Sequence, residues 1–239
     1  MVVGTSLLFF LFSYTSHSRT HPHRGIPNTA DVLSNVPFFV VGLFGIDILY
    51  GLDILPSKDI LPGDVTILLD NEREAWVVFF AGILLVSFGS GYYHWYRTNA
   101  TLVWDRLPMT IGFMSIFVIQ CIERLGPHCS VMLWPAIVLG GLSVFWWDKS
   151  QDLRLYVFVQ FFPLISMPIL VVGFPAYYTR GDLPLVALGF YIACKIVELK
   201  DRPIYNFTGK VISGHTLKHL LASVSPAVAI YYLSVRERL

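Results

Sequence analysis

Seven apolar stretches recur along the chain: approximately Val32–Tyr50, Trp76–Tyr96, Leu107–Ile122, Val131–Trp147, Leu153–Tyr177, Leu183–Val197 and Ser213–Leu233. Each approaches the roughly 20 residues that a helix needs to cross a hydrocarbon core. Backbone groups in lipid must bond within their own segment, so every stretch is expected to be helical. Short polar loops separate them, and the longest, Gly51–Glu74, is rich in Asp and Glu. Of 239 residues, 55% are apolar and 14% charged, against about 25% charged in soluble domains. A soluble core of this size would need more polar cover. The expected fold is therefore all-α, a seven-transmembrane helix bundle. Pro108 and Pro184 are expected near span starts, where a missing N–H costs little. Pro135, Pro163, Pro168, Pro175 and Pro226 are expected deeper, as kinks.

Residues 28–239 carry no internal repeat and read as one membrane domain behind a short segment, residues 1–27. Within that segment Leu7–Phe12 is too short to span, follows no Lys or Arg, and precedes no clear A-x-A site. It is compatible with an atypical signal sequence, a membrane-surface segment or part of a truncated helix. His17, His21 and His23 in its polar part are expected to be solvated. A net charge of +1 supplies no basic field for nucleic acid. Three cysteines make no even-numbered disulfide framework.

Titratable side chains inside spans are costly and by default mark function. Ser90-Gly-Tyr-Tyr-His94 closes the second span, and residues four apart share a helix face. Trp104-Asp-Arg-Leu-Pro-Met109 opens the third, with Asp105 beside Arg106. His215-Thr-Leu-Lys-His219 opens the seventh, and two histidines four apart on a helix can face one metal ion. With seven crossings, all three groups fall on one side of the bilayer, together with Asn28, Asp31, Ser34 and Asn35. His94, His215 and His219 would then give three nitrogen ligands, with a fourth position left for water, the pattern of a catalytic zinc. Asp105 and Ser90 have the chemistry of a proton carrier and an oxyanion donor.

The neighbouring polar residues have plainer readings. Lys218 is expected to snorkel to the headgroups. Lys195 and Glu198 are expected to form a local ion pair, with orientation of a metal-bound histidine as the alternative for Glu198. Tyr92, Tyr93, Trp95 and Trp104 read as an interfacial aromatic belt. Asn35 reads as a cap or an interhelical hydrogen bonder, and His128 falls on the opposite side.

The set Ser90-x-x-x-His94, Asp105 in Trp-Asp-Arg-Leu-Pro-Met, and Ser213-Gly-His-Thr-Leu-Lys-His219 resembles the alkaline ceramidase family. That family belongs to a superfamily of seven-helix, metal-dependent membrane hydrolases that also includes the progestin and adiponectin receptors. The resemblance runs from about Pro27 to about Ser223, and residues 28–35 resemble the family's first motif. It implies zinc on His94, His215 and His219, proton handling by Asp105, oxyanion contact from Ser90, and cleavage of ceramide to a sphingoid base and a fatty acid. Calcium-dependent members carry an acidic cluster before the first span. Here no Asp or Glu precedes Asp31, and Asn28 stands where a family glutamate would align. Calcium favours carboxylate oxygens, so activity without added calcium is expected.

The implied function is a zinc amidohydrolase acting on a ceramide-like lipid in an endomembrane or the plasma membrane. The alternatives are a receptor-like or scaffold protein with structural zinc, and a hydrolase of another lipid ester or amide bond. Retention of Ser90 and Asp105 beside three ligands favours chemistry, since a structural zinc needs neither.

Overall fold

The computed structural model describes residues 28–52, 54, 68–69 and 71–239. The segment 1–27, with Leu7–Phe12 and its three histidines, lies outside the described residues, as does most of the acidic loop. Every apolar stretch is a helix. In chain order these are α1 (Thr29–Leu33), α2 (Val36–Tyr50), α3 (Glu72–Trp95), α4 (Asn99–Leu125), α5 (Leu133–Ser150), α6 (Arg154–Gly173), α7 (Leu183–Leu199), α8 (Asp201–Phe207) and α9 (Gly214–Val235). The short α8 was not apparent as an apolar stretch. Among the described residues the only β-type pairing is an isolated bridge between Tyr178 and Arg238.

Five helical segments are long and apolar enough to cross a membrane: Thr29–Tyr50, Glu72–Trp95, Asn99–Leu125, Pro127–Ser150 and Arg154–Gly173. The outward-facing residues match, with Ile165, Ile169 and Val172 at 62%, 61% and 81% exposure on α6. The polar residues, by contrast, are inside, among them Asp31, Glu72, Gln120 and Glu123. A chain that hides its carboxylates and shows its isoleucines is folded for lipid. It is a membrane protein.

α3 and α4 form the central pair, with α2 against α3, α5 and α6 against α4, and α7 against α9. α7 touches α6 only lightly. A long cavity lies between α7 and α9 on one side and α3 and α4 on the other. One end is closed by a core around Trp76, Phe80, Ile119, Ile122 and Leu233. There Arg236, at the end of α9, donates to Glu123 and, at 2.7 Å, to Glu72. All three side chains are almost wholly buried, and removing one partner of such a pair typically costs about 3–5 kcal/mol.

α4 begins ahead of the expected Leu107 because Thr98 and Thr101 form a reciprocal capping box that starts the helix at Asn99. Pro108 is therefore inside α4 and not at its start. Having no N–H, it leaves the carbonyl of Trp104 without its usual helical donor. Gly89 of α3 packs on that carbonyl: a Cβ there would stand 2.0 Å from the Trp104 oxygen. Pro163, Pro168 and Pro226 lie inside helices as expected. Pro135 instead occupies the first turn of α5, and Pro175 lies beyond the end of α6, so neither kinks a helix.

The contact at Gly89 sets how closely α3 and α4 approach beside Ser90. Gly89→Ala should cost about 1–3 kcal/mol, the usual range for overpacking, and lower the melting temperature in detergent. An unchanged melting temperature would show that the two helices are not held at this distance.

Candidate metal centre

α9 starts where it does because its free amides find partners. Ser213 caps it, its hydroxyl accepting from the Thr216 amide at 2.9 Å. The buried carboxylate of Asp201 accepts from the His215 amide, also at 2.9 Å. Gly214 passes so close to α7 and α8 that a Cβ would meet the Val197 oxygen at 2.5 Å and the Asp201 Cα at 2.6 Å. Asp31, fully buried, accepts from Thr216 Oγ1 at 2.7 Å and from Arg97 at 2.7 Å, with Ser213 Oγ at 3.3 Å. One carboxylate thus fastens α1, the α3–α4 loop and the head of α9. On α3, the Asn28 amide donates to the His94 carbonyl at 3.1 Å.

This framework brings His94, His215 and His219 together, all buried, with one ring nitrogen of each within 4.8 Å of the others. Their ring centroids form a nearly equilateral triangle with sides of 4.7, 4.7 and 5.0 Å. The Nε2 atoms of His94 and His215 are 3.1 Å apart. Two nitrogens bound at roughly 2.0–2.1 Å to one tetrahedral metal lie about 3.3 Å apart. Without a cation, one ring must donate its proton to the other; with one, the lone pairs converge on it.

The hydrogen bonds behind the rings fit the same purpose. Ser34 Oγ donates to the Asp31 carbonyl at 2.9 Å and lies 2.8 Å from His219 Nδ1. The hydroxyl has one proton: when it goes to the carbonyl, Nδ1 of His219 is the donor to Ser34. Its Nε2 is left with a lone pair facing the triangle, the tautomer that a metal needs. His215 Nδ1 is 4.0 Å from Glu198 Oε1, too far for a direct hydrogen bond. His94 Nδ1 has no hydrogen-bond partner among the described residues. The three residues fit a metal ion.

Ser90 and Asp105 are neighbours across α3 and α4, with the serine hydroxyl placed to steady the carboxylate. Both line the cavity with His219, so the five residues singled out in the sequence come together at one end of it. No family model, curated protein or solved structure matches this chain. The site must therefore be interpreted from its own geometry.

Three further residues act here in ways the sequence did not reveal. Lys218 does not snorkel: its Nζ binds Glu198 Oε1 at 2.9 Å, and its side chain lines the cavity. The reason is that α7 packs on α9 and places a carboxylate within reach, in a medium of low dielectric. The expected Lys195–Glu198 pair is present at 3.0 Å. Ser34 and Asp31 had looked merely polar. Asn35 bonds back to the Asp31 carbonyl at 2.8 Å, a local role within the first two helices. Of the aromatic residues near this end, Tyr92, Trp95 and Trp104 are exposed, as an interfacial belt requires.

Replacing a group that orients a ligand histidine typically costs 10- to 100-fold in metal affinity. Ser34→Ala should weaken metal binding by about that factor in a chelator competition titration. His215→Ala with His219→Ala should abolish it, and acidification should release metal from the wild type because imidazole must be neutral to bind. Equal affinity in Ser34→Ala would remove Ser34 from the account.

Proposed function

We propose that this chain is a zinc-dependent, seven-helix intramembrane hydrolase. On this reading it cleaves the amide bond of ceramide or a related sphingolipid to a sphingoid base and a fatty acid. The observation that carries the proposal is the junction of two features: a buried triangle of histidines beside the Ser90–Asp105 pair, at the head of a long apolar cavity.

The five apolar segments supply five spans, and α7 and α9 complete the seven. α7, at 17 residues, is about 26 Å long, close to the hydrocarbon thickness. α9 is long enough at 22 residues; its histidines, serines and Lys218 lower its hydropathy because they face inward. An all-imidazole donor set of three, which leaves one coordination position open, supports the choice of zinc.

Zinc, when bound, supplies Lewis acidity and brings the pKa of a coordinated water to about 7. The other functions fall to the chain. Asp105 can accept a proton at the head of the cavity and return it to the leaving amine. Ser90, beside Asp105, can donate to the developing oxyanion once its single proton turns from the carboxylate toward the substrate. Lys218 and Lys195, bridged by Glu198, keep charge at this end of the cavity without a lone buried ion.

The cavity favours a lipid over a small polar substrate. Its lining on α3 runs from Ser90 to Trp76 and on α4 from Asp105 to Gln120, about 21 Å of helix. Most of the side chains along it are apolar, among them Phe79, Ile83, Phe113 and Ile116. The light contact between α6 and α7 offers a route by which a chain could enter from the bilayer.

Purified protein assayed against a panel of ceramides and ester lipids, with and without chelator, tests the reading. Ceramide cleavage should be chelator-sensitive and independent of added calcium. Ser90→Ala and Asp105→Asn should retain zinc and lose about 100- to 1,000-fold in rate. Full activity in either variant would refute its assigned role. A panel in which no lipid is cleaved by zinc-loaded protein would favour a receptor-like or scaffold protein.

A further inference from the structure

The connection between α7 and α9, which contains α8, is basic and apolar at once, and both kinds of side chain are on the outside. From Lys200 to Ile212 it carries Lys200, Arg202 and Lys210 against a single acid, Asp201. Asp201 is buried, and its carboxylate accepts from the His215 amide at 2.9 Å. Glu198, just before the connection, already holds Lys195 and Lys218. The three basic residues are exposed, and among the described residues none of them forms an ion pair. Interleaved with them, Phe207, Val211 and Ile212 are 92%, 69% and 41% exposed. A contiguous apolar surface rimmed by charge marks a contact with a partner or a membrane.

We propose that this segment docks on the anionic headgroups of the leaflet at its own end of the bundle, with Phe207, Val211 and Ile212 set into the boundary between headgroups and acyl chains. Its unpaired charges are all positive, which complements phosphate-bearing anionic lipids. Apolar side chains among those charges fit a surface that has an oily layer directly beneath it. The position agrees: α7 ends at Leu199 and α9 begins at Gly214, so two helices that cross the bilayer bring the segment out at headgroup level. The contact bears on the metal centre, because α8 supplies Asp201 to the His215 amide and Gly214 packs on Asp201 with no room for a Cβ. Holding α8 at the membrane surface steadies the head of α9. The proposal rests on α7 and α9 both crossing the bilayer, and not on the hydrolytic reaction.

An environment-sensitive fluorophore would be attached through Val211→Cys or, separately, through Ile192→Cys; the native cysteines are buried. Ile192 is an exposed residue of α7, and its label reports the span itself. Each protein would be placed in nanodiscs of phosphatidylcholine, or of an equal mixture with phosphatidylglycerol, with brominated acyl chains as quencher. The label replacing Ile192 should be quenched in both. The label replacing Val211 should be quenched and blue-shifted, more strongly with phosphatidylglycerol. Native mass spectrometry of the unlabelled protein from mixed discs should show preferential retention of phosphatidylglycerol. That preference should fall about 5-fold for each of Lys200→Gln, Arg202→Gln and Lys210→Gln. A Val211 label left in water beside a quenched Ile192 label would overturn the docking surface alone, whereas an Ile192 label left in water would overturn the seven-helix reading with it. Insertion without any preference for phosphatidylglycerol, or a preference that survives all three substitutions, would refute recognition of anionic headgroups by this segment.

Discussion

The carboxylate of Asp31 is the interaction on which the site end of the molecule depends. Lipid offers no hydrogen bonds, so polar groups placed there must find one another. Asp31 gathers Arg97 from the α3–α4 loop and Ser213 and Thr216 from the head of α9. Its own carbonyl lies 2.9 Å from the Ser34 hydroxyl, and a proton given there leaves Ser34 as an acceptor for His219. The position of α9 and the surroundings of one of its histidines therefore depend on the same residue. A second polar knot, Arg236 with Glu72 and Glu123, closes the opposite end. Between the two knots α7 and α9 are free to stand away from α3 and α4, and the cavity follows from that separation.

This arrangement sets the chemistry. Charges and dipoles at the head of the cavity act in a medium of low dielectric, where their effect on a bound group is larger than in water. The charges are also compensated: Lys195 and Lys218 by Glu198, and Asp105 has Ser90 beside it. The histidine triangle is the exception, since three neutral rings placed this closely gain most from a cation among them.

Much of this was legible in the sequence, and for local reasons. Helices in lipid are specified by apolar runs of sufficient length, and all seven runs are helical. His215 and His219 share a face by spacing alone, and counting crossings brought His94, Ser90 and Asp105 to the same side. What could not be read depends on contacts between distant segments. Ser34 and His219 are 185 positions apart, and nothing local marks Ser34 as the partner of a ligand. Lys218 looked like a snorkelling residue because the carboxylate that holds it sits on another helix. Glu123 and Arg236 fell just outside the assigned spans, so their burial was hidden by the choice of boundary; the signal available was an Asp, Glu, Lys or Arg at a helix end. Pro108 was misplaced because Thr98 and Thr101, themselves in plain view, start α4 a full two turns earlier.

The central claim is that three buried imidazoles hold one zinc with a position to spare. X-ray absorption at the zinc edge, on protein purified with its metal, tests this most directly. The account predicts three nitrogen scatterers and one oxygen at roughly 2.0–2.1 Å, with the nitrogen signal reduced or lost in His94→Ala. Sulfur scatterers at about 2.3 Å, a fourth histidine in place of the oxygen, or a spectrum unaltered by His94→Ala would contradict it.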